Sequence, residues 1–346
     1  MRWTAPGCVV GAISSSAMLL SMDAADRLPQ LAGRPFITDG GLETTLVFHE
    51  GLDLPCFAAF DLLKDEQGRE RIRMYFEPYI ALAREHGVGI VVDTATWRAN
   101  RDWGERLGYS PDALDAANRA AVSLSEELRT AYEDEGTPIV VNGCIGPRGD
   151  GYVAAEQMSA GEAEHYHAAQ IATLADAGAD MVAGVTMTYA EEAVGIVRAA
   201  RAAGIPVAIS FTVETDGRLP SGQALGEAIE QVDAETDRSA AFFMINCAHP
   251  THFEHVLADG APWVARLGGL RANASTKSHA ELDESEELDE GDPADLGARY
   301  GALRAWLPNV SVVGGCCGTD HRHIEAICEA WLGAVSPGGE RGTAEA

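Results

Sequence analysis

Eight short apolar, β-branched runs separated by longer stretches of helical periodicity leave this chain very few architectures. The runs lie at 36–39, 88–94, 138–143, 180–184, 206–211, 242–246, 263–267 and 310–314. Helical patterns fill the intervals and the end: 70–86, 112–135, 161–177, 190–203, 224–237, 251–258, 294–306 and 320–332. Strands alternating with helices argue for a parallel sheet, because parallel neighbours need a crossover and a helix is the usual one. Eight such units in ~300 residues fit a single-domain α/β fold, the (β/α)8 TIM barrel, better than an open sheet. Helix starts are well marked. Ser159 precedes Gly161-Glu162, and Pro111 follows Ser110 at a first helical position.

Three segments stand outside this rhythm. Residues 1–29 hold Arg2 and a mildly apolar stretch, Cys8 to Met22, broken by Ser14-Ser15-Ser16. One basic residue and an interrupted apolar run make a poor secretion signal. We expect a disordered extension or an over-called start there, and the barrel at 30–335. Residues 336–346 are Gly-rich and expected to be a flexible tail. Residues 275–293 are dense in acid, with Glu281, Asp283, Glu284, Glu286, Glu287, Asp289, Glu290 and Asp292. They read as a solvated loop or short helix inserted after the seventh strand. Either a lid over the C-terminal face or a plain surface loop fits that composition.

A net charge of -28 opposes binding to nucleic-acid phosphates. No apolar run reaches ~18 residues, so no membrane span is expected. Seven cysteines, an odd number in a long chain, do not form a small disulfide scaffold, and reduced thiols fit a cytoplasmic location. The expected partners are small molecules, with a homo-oligomer possible.

The chemistry is carried by Gly314-Gly315-Cys316-Cys317-Gly318-Thr319, which follows the last apolar run. Cys247 likewise closes the run Phe242-Phe243-Met244-Ile245-Asn246. In a (β/α)8 barrel the loops after the strands build the active face. Cys247, Cys316 and Cys317 therefore converge there, with one strand between them. Three thiolates with one open position make a catalytic Zn2+ site. Such a zinc is a poor activator of water but well suited to holding a substrate thiol as thiolate, the nucleophilic form of sulfur. The expected reaction is displacement by sulfur on an activated methyl group.

Other residues near strand ends belong to the same reading. Asp39-Gly40-Gly41-Leu42-Glu43-Thr44 follows strand one, where glycines let backbone amides approach a ligand and Asp39 can hold an ammonium group. His249, His252, His255, His321 and His323 read as surface groups or as neighbours of the ligands, since helix residues point away from a barrel mouth. Trp97, Trp103, Tyr109, Tyr152 and Tyr189 are candidates to face a sulfonium or quaternary ammonium group, and equally read as packing residues.

On these motifs, together with Asn142-Gly143-Cys144-Ile145-Gly146-Pro147, Ala177-Gly178-Ala179-Asp180 and Ile245-Asn246-Cys247, the chain resembles the homocysteine S-methyltransferase family from about Pro35 to Trp331. The resemblance implies zinc held by Cys247, Cys316 and Cys317, and transfer of a methyl group to homocysteine to give methionine. It implies Asp39 as the holder of the substrate amino group and Asn246 as an orienting residue. The expected acceptor-binding set is Asp39, Gly40, Gly41, Glu43, Thr186 and Asn246.

The chain also departs from the family pattern. Val185 stands where the family has a Glu that contacts the substrate amine, with Asp93 or Glu43 as possible compensation. Ala272-Asn273 stands for a common Pro-Asn. The methyl donor, a sulfonium or ammonium compound, is expected to be S-methylmethionine or S-adenosylmethionine. Two other readings accommodate the altered amino-acid end: a methyltransferase or demethylase using a different small thiol, or a non-catalytic zinc- or thiol-binding protein.

Overall fold

The computed structural model describes residues 28–333 except positions 259 and 286, so the extension and tail expected at the ends fall largely outside the described residues. Eight parallel strands close into a barrel in sequence order: β1 (Phe36–Ile37), β2 (Gly89–Asp93), β3 (Ile139–Ile145), β4 (Met181–Met187), β5 (Val207–Phe211), β6 (Phe242–Asn246), β7 (Leu267–Ala272) and β8 (Val312–Gly315). β8 returns to β1 through the pairs Phe36 with Val312 and Ile37 with Val313. Eight helices form the outer layer: α1 (Glu66–His86), α2 (Pro111–Tyr132), α3 (Ala160–Ala177), α4 (Ala190–Ala203), α5 (Leu225–Glu235), α6 (Pro250–Leu257), α7 (Pro293–Leu303) and α8 (His321–Leu332). This is the (β/α)8 TIM barrel that the alternation predicts. No described helix is long and apolar enough to cross a membrane.

Strand periodicity divides the apolar residues between two cores. Along β4, Met181, Ala183 and Val185 face the lumen with Phe36, Val91, Val140, Phe242, Met244 and Val312. The alternate residue Val182 packs instead with the large cluster between strands and helices. The lumen is therefore a packed core, and in barrels of this kind the active face is the one at the C-terminal ends of the strands. Helices start where short polar side chains satisfy free amides. Ser159 and Glu162 form a reciprocal capping box at α3, and Ser110 accepts from Ala113 N ahead of Pro111 at α2.

Strand seven differs from its expected place. The apolar run at 263–267 is mostly a 3-10 turn, Pro262–Arg266, with proline at its start, and β7 begins at Leu267. Its sequence, Leu-Gly-Gly-Leu-Arg-Ala, does not look like a strand. The glycines are there because the neighbouring strand carries bulk: a Cβ on Gly269 would lie 2.7 Å from Met244 Cγ, and one on Gly268 2.8 Å from Phe242 Cβ. The shift places Arg271 at the barrel mouth.

Candidate metal centre and acceptor pocket

The mouth is built by the residues that end the strands. The β6 ladder continues into Cys247, whose amide donates to Arg271 O at 3.1 Å, and that of β8 into Cys316, whose amide donates to Ala272 O at 2.9 Å. The turn after β8 packs tightly on the loop after β1. A Cβ on Gly41 would sit 2.8 Å from Cys316 O, and one on Gly40 2.9 Å from Thr319 C. Gly318, at φ 77°, turns the chain back in a conformation that glycine adopts without a steric penalty.

The Sγ atoms of Cys247, Cys316 and Cys317 all lie within 4.8 Å of one another. Cys247 and Cys316 are paired as a disulfide, with Cα atoms 5.4 Å apart, and Cys317 is free with its sulfur 3.8 Å from that of Cys247. Metal binding requires thiolates, so the disulfide and a metal-loaded centre are alternative states of one sulfur set. The donor set fits a soft or borderline metal: three converging sulfurs on rigid strand ends, facing a cleft. Burial pushes the Cys317 thiol up from its ordinary pKa, so in the apo protein it stays protonated. Cys247 is held at φ 52° and Thr186, across the mouth, at φ 65°. Non-glycine residues in this region persist only where surroundings fix them.

Those surroundings are specific. Asn246 Oδ1 accepts from Thr186 N at 3.0 Å and Ser210 Oγ at 2.6 Å. Its Nδ2 donates to Thr186 Oγ1 at 2.9 Å and approaches Cys316 Sγ at 3.8 Å. One buried amide thus ties β4 and β5 to the sulfur cluster. The Cys247 carbonyl accepts from His279 Nε2 at 2.6 Å and Thr212 Oγ1 at 3.4 Å. His279 belongs to the acidic insertion, which folds a short helix at His279–Asp283. Its ring also packs 4.5 Å from that of Tyr152, whose hydroxyl lies 3.4 Å from Cys317 Sγ and 3.7 Å from Cys247 Sγ. The insertion therefore packs behind the site, against Cys247 and Tyr152, without lining the cleft itself.

A narrow cleft of about 80 Å³ opens on the sulfurs. Every expected site residue lines it except Asn246, which acts from behind: Asp39, Gly40, Gly41, Glu43 and Thr186 with the three cysteines. Leu42, Phe57, Ala95, Trp97, Cys144, Tyr152 and Val185 supply most of the apolar wall. At the far end Arg271 donates through Nη2 to Asp39 Oδ1 at 2.7 Å, through Nη1 to Asp93 Oδ2, and through Nε to Gly315 O at 3.2 Å. Burial raises the Asp39 pKa to about 7, with Arg271 opposing and Asp93 adding to the rise. Glu43 is likewise raised to about 7, by burial first and then by Asp39.

The expected aromatic face is partly used within the protein. Arg98 is sandwiched 4.1 Å from Trp97 and 3.9 Å from Trp103. Tyr109 hydrogen-bonds Asp61, and Tyr189 accepts from Met158 N. Trp97 and Tyr152 remain at the cleft. The histidines are not surface groups as a set, since His249, His252 and His323 are buried. None joins the sulfur cluster: His249 Nδ1 pairs with Thr251, while His252 and His323 donate to the carbonyls of Thr276 and Glu290. Burial lowers the His249 pKa to about 4, which keeps it neutral.

The sequence model of the homocysteine S-methyltransferase family matches residues 36–331. The chain belongs to that family. Among curated proteins it is 24% identical over 321 residues to homocysteine S-methyltransferase 1 of Arabidopsis thaliana, covering 84% of this chain and 91% of the relative. It is 25% identical over 315 residues to the selenocysteine Se-methyltransferase of Brassica oleracea var. italica, covering 84% and 87%. The fold matches the homocysteine methyltransferase MmuM from Escherichia coli. The TM-score is 0.69 for its oxidized form and 0.67 for its metallated form, each at 20% identity over 88% of this chain and 99% of that one. As a member of the homocysteine S-methyltransferase family the chain is a methyltransferase. The residues that sequence reasoning missed are Arg271, hidden by the misplaced strand seven, and His279, hidden in an acidic stretch.

Proposed function

We propose that the protein is a zinc-dependent S-methyltransferase that moves a methyl group from a sulfonium or ammonium donor to the sulfur of homocysteine, giving methionine. S-methylmethionine and S-adenosylmethionine are the favoured donors. The observation that carries this reading is the convergence of three cysteine sulfurs on a cleft whose other end is acidic. Zinc bound by Cys247, Cys316 and Cys317 would supply an acceptor sulfur that is thiolate at neutral pH. The new bond joins that sulfur to the methyl carbon, and the donor's S–C or N–C bond breaks with its electron pair staying on the leaving thioether or amine. The thiol proton goes to solvent. Because such a donor carries its own leaving group, the protein's work is positioning. Asn246 and His279 hold Thr186 and Cys247, and the apolar wall keeps water from the reacting sulfur.

A second reading, a different small thiol as acceptor, is favoured by Val185 on the wall and by Arg271 on the Asp39 carboxylate. The test is mass-spectrometric detection of S-methylated product from reduced, zinc-loaded protein. Homocysteine and other small thiols are each offered S-methylmethionine, S-adenosylmethionine and betaine. Methionine from homocysteine supports the first reading, and product only from another thiol supports the second. No product from any pair defeats both.

A further inference from the structure

The acidic end of the cleft has three carboxylates, and their partners are not equivalent. Both oxygens of Asp39 are taken: Oδ1 by Arg271 at 2.7 Å and Oδ2 by the Tyr75 hydroxyl at 3.0 Å. Both oxygens of Asp93 are taken as well, Oδ2 by Arg271 and Oδ1 by Asn142 Nδ2 at 2.7 Å. Arg271 is itself buried, and its charge is spent on these two aspartates. Glu43 also lines the cleft, where it is half-buried, and its carboxylate meets its own backbone amide but forms no ion pair and meets no side-chain donor among the described residues. Burial and the neighbouring Asp39 both act against its charge, while Arg98 and Arg271 help it only at a distance. A carboxylate drawn out of water with only a backbone amide to bond is costly to charge, and a cation delivered by a ligand lowers that cost. Val185, on the same cleft, offers no polar side-chain atom to a ligand.

We infer that Glu43 is the specificity-determining residue of the acceptor end: it receives the α-ammonium group of an amino-acid thiol, while Asp39 and Asp93 are held by Arg271 as a fixed internal ion network. The inference rests on the proposed thiol methyltransferase reading and names the chemical class of its acceptor. A primary ammonium donates up to three hydrogen bonds, and a charge-assisted contact from it to Glu43 makes up the discrimination. A thiol of the same length without the amine leaves Glu43 with its backbone amide alone.

The test compares wild type with Glu43→Gln, both reduced and zinc-loaded, by calorimetric binding and by kinetics. The probes are homocysteine and its des-amino analogue, 4-sulfanylbutanoate. Glu43→Gln keeps the size of the side chain and removes its charge. The expected result is a rise of about 10- to 100-fold in Kd and KM for homocysteine, with kcat nearly kept and the analogue's Kd changed less than about two-fold. Equal affinity of wild type and variant for homocysteine overturns the inference. So does an equal loss for both thiols, which marks a structural role, or a rise confined to the KM of the methyl donor, which places Glu43 on the donor. A wild-type protein that neither binds homocysteine nor methylates any thiol brings down the functional reading itself, a different outcome from these.

Discussion

Single residues set the site's geometry here, and Asn246 does most. It is fully buried, and its one amide serves the Thr186 amide, the Thr186 hydroxyl and Ser210 while reaching Cys316 Sγ. Asn246→Ala leaves the Thr186 amide and Ser210 hydroxyl without that partner, which costs about 1–3 kcal/mol. The expected outcome is a lowered Tm and weaker zinc retention in a competition with a chromophoric chelator. A fully stable variant with unchanged zinc affinity contradicts the role. Glu43 gives a pH prediction. Its folded-state pKa is about 7, above the ordinary carboxylate range, because burial disfavours the charge. The folded state therefore binds a proton that the unfolded state lacks between about pH 4 and 7. Its contribution to stability is present below that window and lost as pH rises through about 7. Urea unfolding of the metal-free protein should show stability falling from about pH 4 to 7 and levelling above it, and Glu43→Gln should make the fall shallower, with Asp39, also raised to about 7, supplying the remainder. An equally steep fall in the variant assigns the titration to another group.

At the scale of elements, the strands were readable where side-chain pattern and burial agree, as in β2, β5 and β6. β7 was not. Its Gly268 and Gly269 give no periodic signal, because they are chosen by the bulk of Phe242 and Met244 on the adjacent strand, information that lies elsewhere in the chain. The cysteines were legible since rare residues at strand ends announce a site on the barrel's upper face. Arg271 was not, because its meaning depends on β7 placing it between Asp39 and Asp93. The acidic insertion was read from composition alone, which conceals the one buried histidine within it. Ser275 and Lys277 hold Asp289, His49 and Arg322 pair with Glu290, and His279 reaches the Cys247 carbonyl. His279→Ala should cost about 1–3 kcal/mol and reduce kcat, while exposed Asp283→Ala stays within about 0.5 kcal/mol of wild type. Thermal melts and steady-state kinetics on both variants check this. Equal behaviour of the two removes the insertion from the site.

For the whole molecule, the barrel explains why two cysteines separated by 69 residues in sequence meet at all. Closure brings the ends of β6 and β8 to either side of β7, and the packed lumen beneath leaves their loops no freedom to drift apart. The net charge of -28 plays no part in that geometry. It favours cationic donors over anionic ones in the approach to the mouth. The central claim is that Cys247, Cys316 and Cys317 hold zinc with a position left for the acceptor's sulfur. Zinc-edge X-ray absorption on the reduced, zinc-loaded protein, with and without homocysteine, tests it most directly. The account predicts one zinc per chain with three sulfur neighbours, rising to four when homocysteine is added. A shell that already has four protein ligands, or one that gains no sulfur from a bound thiol, contradicts it.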